Sequence, residues 1–221
     1  MKKIKKIIIG THNQGKFKEI SNLLPPYIKK ISPKELNLSS PEETGSSFRE
    51  NSKLKAQFFS EKSNLICISD DSGLEIDLLT GAPGIHSSRW AGSNNDFNLA
   101  MDKVFAELTK KDPNWIKRKE ITARFICCLT VYWPKGKLIM SEGIIDGNIS
   151  STKRGTNGFG YDPIFLPKNY EQTFGEIEKK LNEIYNKSIF LVKRSDIEQP
   201  LKKIDFFEKI EVKKKYPNTI I

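Results

Sequence analysis

Residues 156–165 read Thr-Asn-Gly-Phe-Gly-Tyr-Asp-Pro-Ile-Phe, so one short run combines two glycines, an aromatic pair and a carboxylate. Gly158 and Gly160 permit backbone conformations and close ligand approach that side chains would block. Phe159 offers a stacking face, with Tyr161 beside it, and Asp162 a fixed hydrogen-bond acceptor. A nucleobase and its sugar suit those groups. A glycine-rich turn entering an apolar strand, with Asp162-Pro163 as turn chemistry, explains the same residues. The choice between the two depends on whether a phosphate site and a metal site accompany the block.

A phosphate site is offered by Thr11, His12, Asn13, Gln14, Gly15 and Lys16, which follow Gly10 between an apolar run and a helical pattern. Amides at a helix start lack intrahelical partners and carry the positive end of the helix dipole, so they cradle anions. Thr11 and Asn13 add side-chain hydrogen bonds and Lys16 adds charge. An ordinary Asn or Thr helix cap is the alternative for this segment taken alone. The turn also satisfies G-x-x-x-x-G-K, but the next position of a P-loop is Ser or Thr, whose hydroxyl binds magnesium. Here it is Phe17, which cannot coordinate a hard cation.

Magnesium must then be held elsewhere, and Asp70-Asp71-Ser72-Gly73 is the best place. Two adjacent carboxylates after an apolar run face solvent or a cation, because isolated buried charges cost several kcal/mol or more. The reading places them at the end of a short strand, where Asp-Asp-Ser-Gly also serves as a common turn. Glu42 and Glu43 lie in a further loop that could complete the coordination.

The elements that must position these groups form a mixed α/β pattern. Residues 4–10 read as a buried strand, followed by a helix with Phe17, Ile20, Leu23 and Leu24 on one face, stopped by Pro25-Pro26. A second helix is expected over 47–62 with Phe48, Ser52, Ala56 and Phe59 along one side, and a second short strand over 65–69. Residues 121–133 and 137–149 read as a long hairpin about Pro134-Lys135-Gly136. A hairpin among crossover-connected strands implies a mixed sheet.

The chain has 221 residues, enough for one folding unit, 1–221, without a disulfide or metal staple. Its apolar runs fall far short of the roughly 20 residues that span a bilayer, which argues against a membrane partner. Met-Lys-Lys-Ile-Lys-Lys-Ile-Ile-Ile has too short an apolar stretch for a signal peptide and reads as a cytoplasmic first strand. Cys67, Cys127 and Cys128 sit in apolar runs as buried reduced thiols do. The formal charge of +10 comes largely from lysines at the termini, and no nucleic-acid-binding module accompanies it, so no stable nucleic acid partner is expected.

Together the motifs resemble the inosine triphosphate pyrophosphatase family, the Ham1-like non-standard purine nucleoside triphosphate pyrophosphatases, also called XTP/dITP diphosphatases. The resemblance runs in order through Thr-His-Asn-Gln-Gly-Lys (11–16), Glu-Glu-Thr-Gly (42–45), Ser47-Phe-Arg-Glu-Asn-Ser-Lys-Leu-Lys-Ala56, Asp-Asp-Ser-Gly-Leu-Glu-Ile-Asp (70–77), Gly-Ala-Pro-Gly-Ile-His-Ser-Ser-Arg-Trp-Ala-Gly (81–92), Thr122-Ala-Arg-Phe125, 158–165 and Thr173-Phe-Gly-Glu176. It implies a two-lobed α/β fold with a long mixed β-sheet flanked by helices and a central nucleotide cleft. A homodimer is implied too, with magnesium-dependent cleavage of ITP, dITP or XTP to the monophosphate and pyrophosphate. On that basis Asp71 is the expected base, and Glu42 with Asp70 or Asp71 the expected magnesium ligands. Lys16 and Lys55 would neutralise phosphate oxygens. Thr11, His12, Asn13, Gln14, Gly15, Ser72, Phe159, Gly160, Tyr161 and Asp162 would contact the nucleotide.

The C-terminal segment, 178–221, departs from the family. Members carry a Lys several residues before Ile-Ser-His-Arg, whose His and Arg help bind a 6-keto purine. In the closest register, Lys180 stands for the lysine and Tyr185-Asn186-Lys187 replaces Ser-His-Arg, so Lys180, Asn186 and Lys187 are the expected base-reading residues; a later register, Arg194-Ser195-Asp196-Ile197, is the alternative, keeping the serine but losing both cationic groups. Lysine lacks the planar donor fork of arginine, and discrimination between bases should shrink. A divergent, weakly active or non-hydrolysing nucleotide binder is the alternative.

Overall fold

The structure is a computed structural model that describes residues 4–177. Lys180, Asn186 and Lys187 therefore lie outside the described residues. The described residues divide into two compact units, the first taking in 4–71 and Cys128–Gly143, the second Ser72–Cys127 and 144–177.

Six strands make one sheet in the order β2-β1-β3-β4-β5-β6. They are β1 (Lys6–Ile9), β2 (Lys29–Ile31), β3 (Cys67–Ile76), β4 (Thr122–Tyr132), β5 (Leu138–Ile149) and β6 (Phe165–Pro167). β1 runs parallel to β2 and to β3, while β6 is antiparallel to β5, so the sheet is mixed as expected. β4 and β5 are the long hairpin, closed where the Trp133 amide donates to the Lys137 carbonyl.

In the first unit, α1 (Gln14–Leu23) follows β1, and α2 (Phe48–Ser63) precedes β3. Ile7, Ile8 and Ile9 are all buried, as a strand covered on both faces requires. Ser47 caps α2 by accepting the Glu50 amide, and Phe48, Ser52, Ala56 and Phe59 line its buried face. Ile8, Ala56, Phe59, Cys67 and Tyr132 form the core here. In the second unit, α3 (Phe97–Lys111) buries Ala100, Met101, Val104 and Leu108 against Leu74, Ile76, Phe165 and Phe174.

One boundary differs from expectation. β3 does not end at Ser69 but continues to Ile76, so Asp70 and Asp71 lie in the middle of a strand rather than in a turn. Paired charges explain the difference: each carboxylate meets a lysine, which offsets the desolvation that would otherwise force it out of the sheet. All three cysteines are free and buried, and burial pushes the Cys128 thiol up, with Glu142 accepting its hydrogen bond.

Candidate active site

The period-two alternation of a strand sends successive side chains to opposite faces, and Asp70 and Asp71 accordingly find different lysines. Lys16 Nζ lies 2.7 Å from Asp70 Oδ2, and Asp70 is 1% exposed. Lys55 Nζ lies 2.8 Å from Asp71 Oδ1 and 2.6 Å from Glu43 Oε1. Both lysines come from helices whose first turns sit next to loops that carry chemistry.

The surroundings of Asp71 act on its carboxyl in opposite directions. Burial pushes its carboxyl up, and the nearby Glu43 charge adds to that, against the pull of Lys55 and Lys16. Its Oδ2 is buried without a hydrogen-bond partner. A carboxylate held above its ordinary range, with one oxygen unengaged, suits proton abstraction or a cation.

The turn before α1 caps that helix. Asn13 Oδ1 accepts the Lys16 amide at 3.1 Å, and Thr11 Oγ1 accepts the Asn13 amide at 3.2 Å. A helix leaves four amides over at its start, and here the two between those, of Gln14 and Gly15, stand at the helix mouth. His12 directs its ring at the 38–40 segment: Nε2 meets the Leu38 carbonyl at 3.0 Å and Nδ1 meets Ser40 Oγ at 2.7 Å.

The loop before α2 holds Glu42 and Glu43 in different surroundings. Glu42 is exposed, whereas Glu43 shares Lys55 with Asp71. Asn51, also not singled out, is fully buried, and its Oδ1 accepts the Gly45 amide at 2.8 Å, fixing the end of this loop on α2. A signal existed in the sequence, since an asparagine on the apolar side of an amphipathic helix needs a polar partner.

In the second unit, Gly158 (φ 76°) and Gly160 (φ 69°) take left-handed backbone on either side of Phe159. The Phe159 amide donates to Asp162 Oδ2 at 2.8 Å, and the Phe159 ring remains 39% exposed. Asp162 is buried, so its carboxylate shapes the loop. Tyr161 is buried too, its ring edge-on to Phe97 and its hydroxyl donating to the Ser87 carbonyl at 2.8 Å. Of this block, Phe159 stays exposed, and Tyr161 serves the core. Ser72 follows Asp71 on β3.

Along residues 7–187 the sequence matches the Ham1 family. The chain belongs to that family. It is 44% identical over 173 residues to the dITP/XTP pyrophosphatase of Zymomonas mobilis, covering 78% of this chain and 81% of that one. The Rhodopseudomonas palustris dITP/XTP pyrophosphatase is 45% identical over the same shares. Among solved structures, a HAM1 protein from Coxiella burnetii superimposes with a TM-score of 0.74 at 30% identity, covering 90% of this chain and 98% of the other. The Staphylococcus aureus Ham1 protein gives 0.68 at 32% identity, covering 85% and 98%. The mixed α/β fold expected for a Ham1 protein is thus the fold observed.

Proposed function

We propose that this Ham1 protein hydrolyses non-standard purine nucleoside triphosphates such as dITP, XTP and ITP to the monophosphate and pyrophosphate. The observation that carries the reading is the buried Asp71, raised by desolvation and pinned beside Lys55 and Glu43, in a chain 44% identical to a dITP/XTP pyrophosphatase.

Asp71 takes a proton from water as the water oxygen bonds to the α-phosphorus. The bond from that phosphorus to the bridging oxygen then breaks, and pyrophosphate leaves with the electron pair. Lys55 and Lys16 supply positive charge to the phosphate oxygens, and the Gln14 and Gly15 amides supply donors at the helix start. In the second unit Phe159 offers a stacking face to a flat ring such as a base, and Asp162 keeps Phe159 in place.

Hard-cation chemistry fits the residues present. Magnesium is held by one or two carboxylates, with water and substrate phosphates completing its shell, and we read Asp71, whose Oδ2 has no hydrogen-bond partner, and Glu43, which shares Lys55 with Asp71, as such a pair. Asp71 and Glu43 would hold it, with Glu42 near enough in sequence to join. Its contribution is to neutralise charge on the triphosphate. Asp70, whose Oδ2 meets Lys16, would hold that lysine in position. The reading extends to a homodimer in the cytoplasm, supported by the family resemblance and by three free, buried thiols of the kind a reducing compartment maintains. No helix among the described residues is long and apolar enough to cross a membrane.

The test is product analysis with ITP, XTP, dITP, GTP and ATP in the presence of magnesium. Equimolar monophosphate and pyrophosphate, with ITP and XTP favoured, is the expected result. Release of orthophosphate would instead support a P-loop-like NTPase, and binding without turnover a non-hydrolysing family member.

A further inference from the structure

His12 lies in the phosphate-cradle turn, yet both its ring nitrogens are directed at another segment. A carbonyl oxygen only accepts, so the 3.0 Å contact to Leu38 O places the proton on Nε2. Nδ1 of the neutral ring then accepts from the Ser40 hydroxyl at 2.7 Å. The ring also packs against the buried Phe59, with centroids 6.0 Å apart, which fixes the plane in which the two nitrogens point.

Three residues after Ser40 comes Glu43, which shares Lys55 with Asp71. The far end of this carboxylate loop is already clamped to α2: the Gly45 amide donates to Asn51 Oδ1 at 2.8 Å and the Ser46 amide to Glu50 Oε2 at 2.7 Å. Its near end is held by His12. Residues 41–44 therefore hang between two anchors, one on α2 and one on the turn that opens α1.

We propose that His12 is a positioning residue that ties the phosphate-cradle turn to the Glu42–Glu43 loop through Ser40 and Leu38, fixing Glu43 against Lys55 and Asp71. This rests on the hydrolytic reading of the same site. A nucleotide-contacting His12 would act on binding, whereas a strut acts on the geometry of the base and its lysine. Loss of the strut lets Glu43 shift, and misplacement by about 1 Å at a catalytic constellation costs up to roughly a hundredfold in rate.

The experiment compares His12→Ala, Ser40→Ala, the double variant and His12→Gln with the parent protein, using ITP hydrolysis and amide hydrogen exchange over residues 41–45. His12→Ala and Ser40→Ala should each lower kcat by about tenfold with KM little changed, and the double variant should be no worse than His12→Ala. His12→Gln, whose amide keeps one donor and one acceptor, should recover most of the loss. Amides 41–45 should exchange faster in both alanine variants of the nucleotide-free protein. A raised KM in His12→Ala with Ser40→Ala neutral would overturn the strut in favour of direct contact with the nucleotide. Should the parent protein not hydrolyse ITP, the hydrolytic reading fails by itself, and exchange at 41–45 still decides the strut: faster exchange upholds it and unchanged exchange overturns it.

Discussion

Lys55 Nζ lies 2.8 Å from Asp71 Oδ1, a contact that fastens helix α2 to the middle of strand β3. The lysine is 13% exposed and the aspartate 8%, so little water screens the pair. Within this arrangement the lysine lowers a carboxyl that burial raises.

The pH profile should report that opposition. Lys55→Met removes the cation that pulls Asp71 down, so its carboxyl rises further and the deprotonated base appears only at higher pH. The acidic limb of kcat against pH should move to higher pH in the variant. A limb that stays in place, measured at saturating ITP, would detach Asp71 from Lys55.

The same raised carboxyl affects stability. A group whose pKa is higher folded than unfolded holds its proton more tightly in the fold, so its contribution to stability declines as pH climbs from the ordinary carboxylate range through the raised value. Asp71→Asn abolishes that decline. Thermal melts of ligand-free protein should show the variant no less stable than the parent near neutral pH, and relatively less stable in acid.

Lys16→Ala should act on binding and on the fold together. One charge-assisted phosphate contact is worth roughly 1.5–3 kcal/mol, so kcat/KM should fall about 10- to 100-fold, chiefly through KM. Asp70 is nearly inaccessible, and removing its close cation should cost on the order of 3 kcal/mol of stability. Adding Asp70→Asn should restore the melting temperature without restoring KM.

Phe159→Ala should raise KM for every nucleotide, because base–aromatic stacking is sequence-tolerant and worth about 1–3 kcal/mol. A ring 39% exposed contributes little to the core, so the melting temperature should hardly move. Binding of a fluorescent purine triphosphate analogue reads the first effect directly.

Most of the frame was legible in the sequence. The 7–9 isoleucine run, the 47–62 amphipathic pattern and the turn at 134–136 correspond to β1, α2 and the β4–β5 hairpin because each has a single dominant period and a clear stop. Helix α3 is legible in the same way, since Ala100, Met101, Val104 and Leu108 recur at helical spacing. The strand through Asp70 and Asp71 was hidden for a different reason: strand preference disfavours aspartate, and only the lysines of α1 and α2, distant in sequence, make its burial tolerable. Distance in sequence also concealed the pairing of Glu43 with Lys55 and the service of Tyr161 to the core, since both follow from partners that local spacing does not reveal.

The central claim is water attack at the α-phosphorus with Asp71 as base, and hydrolysis of ITP in ¹⁸O-labelled water tests it most directly. The label should appear in the phosphate of the monophosphate, leaving pyrophosphate unlabelled, and Asp71→Asn should slow its appearance at least ~100-fold, as loss of a general base does. Label in orthophosphate, or an Asp71→Asn variant that matches the parent rate at saturating magnesium, would contradict the account.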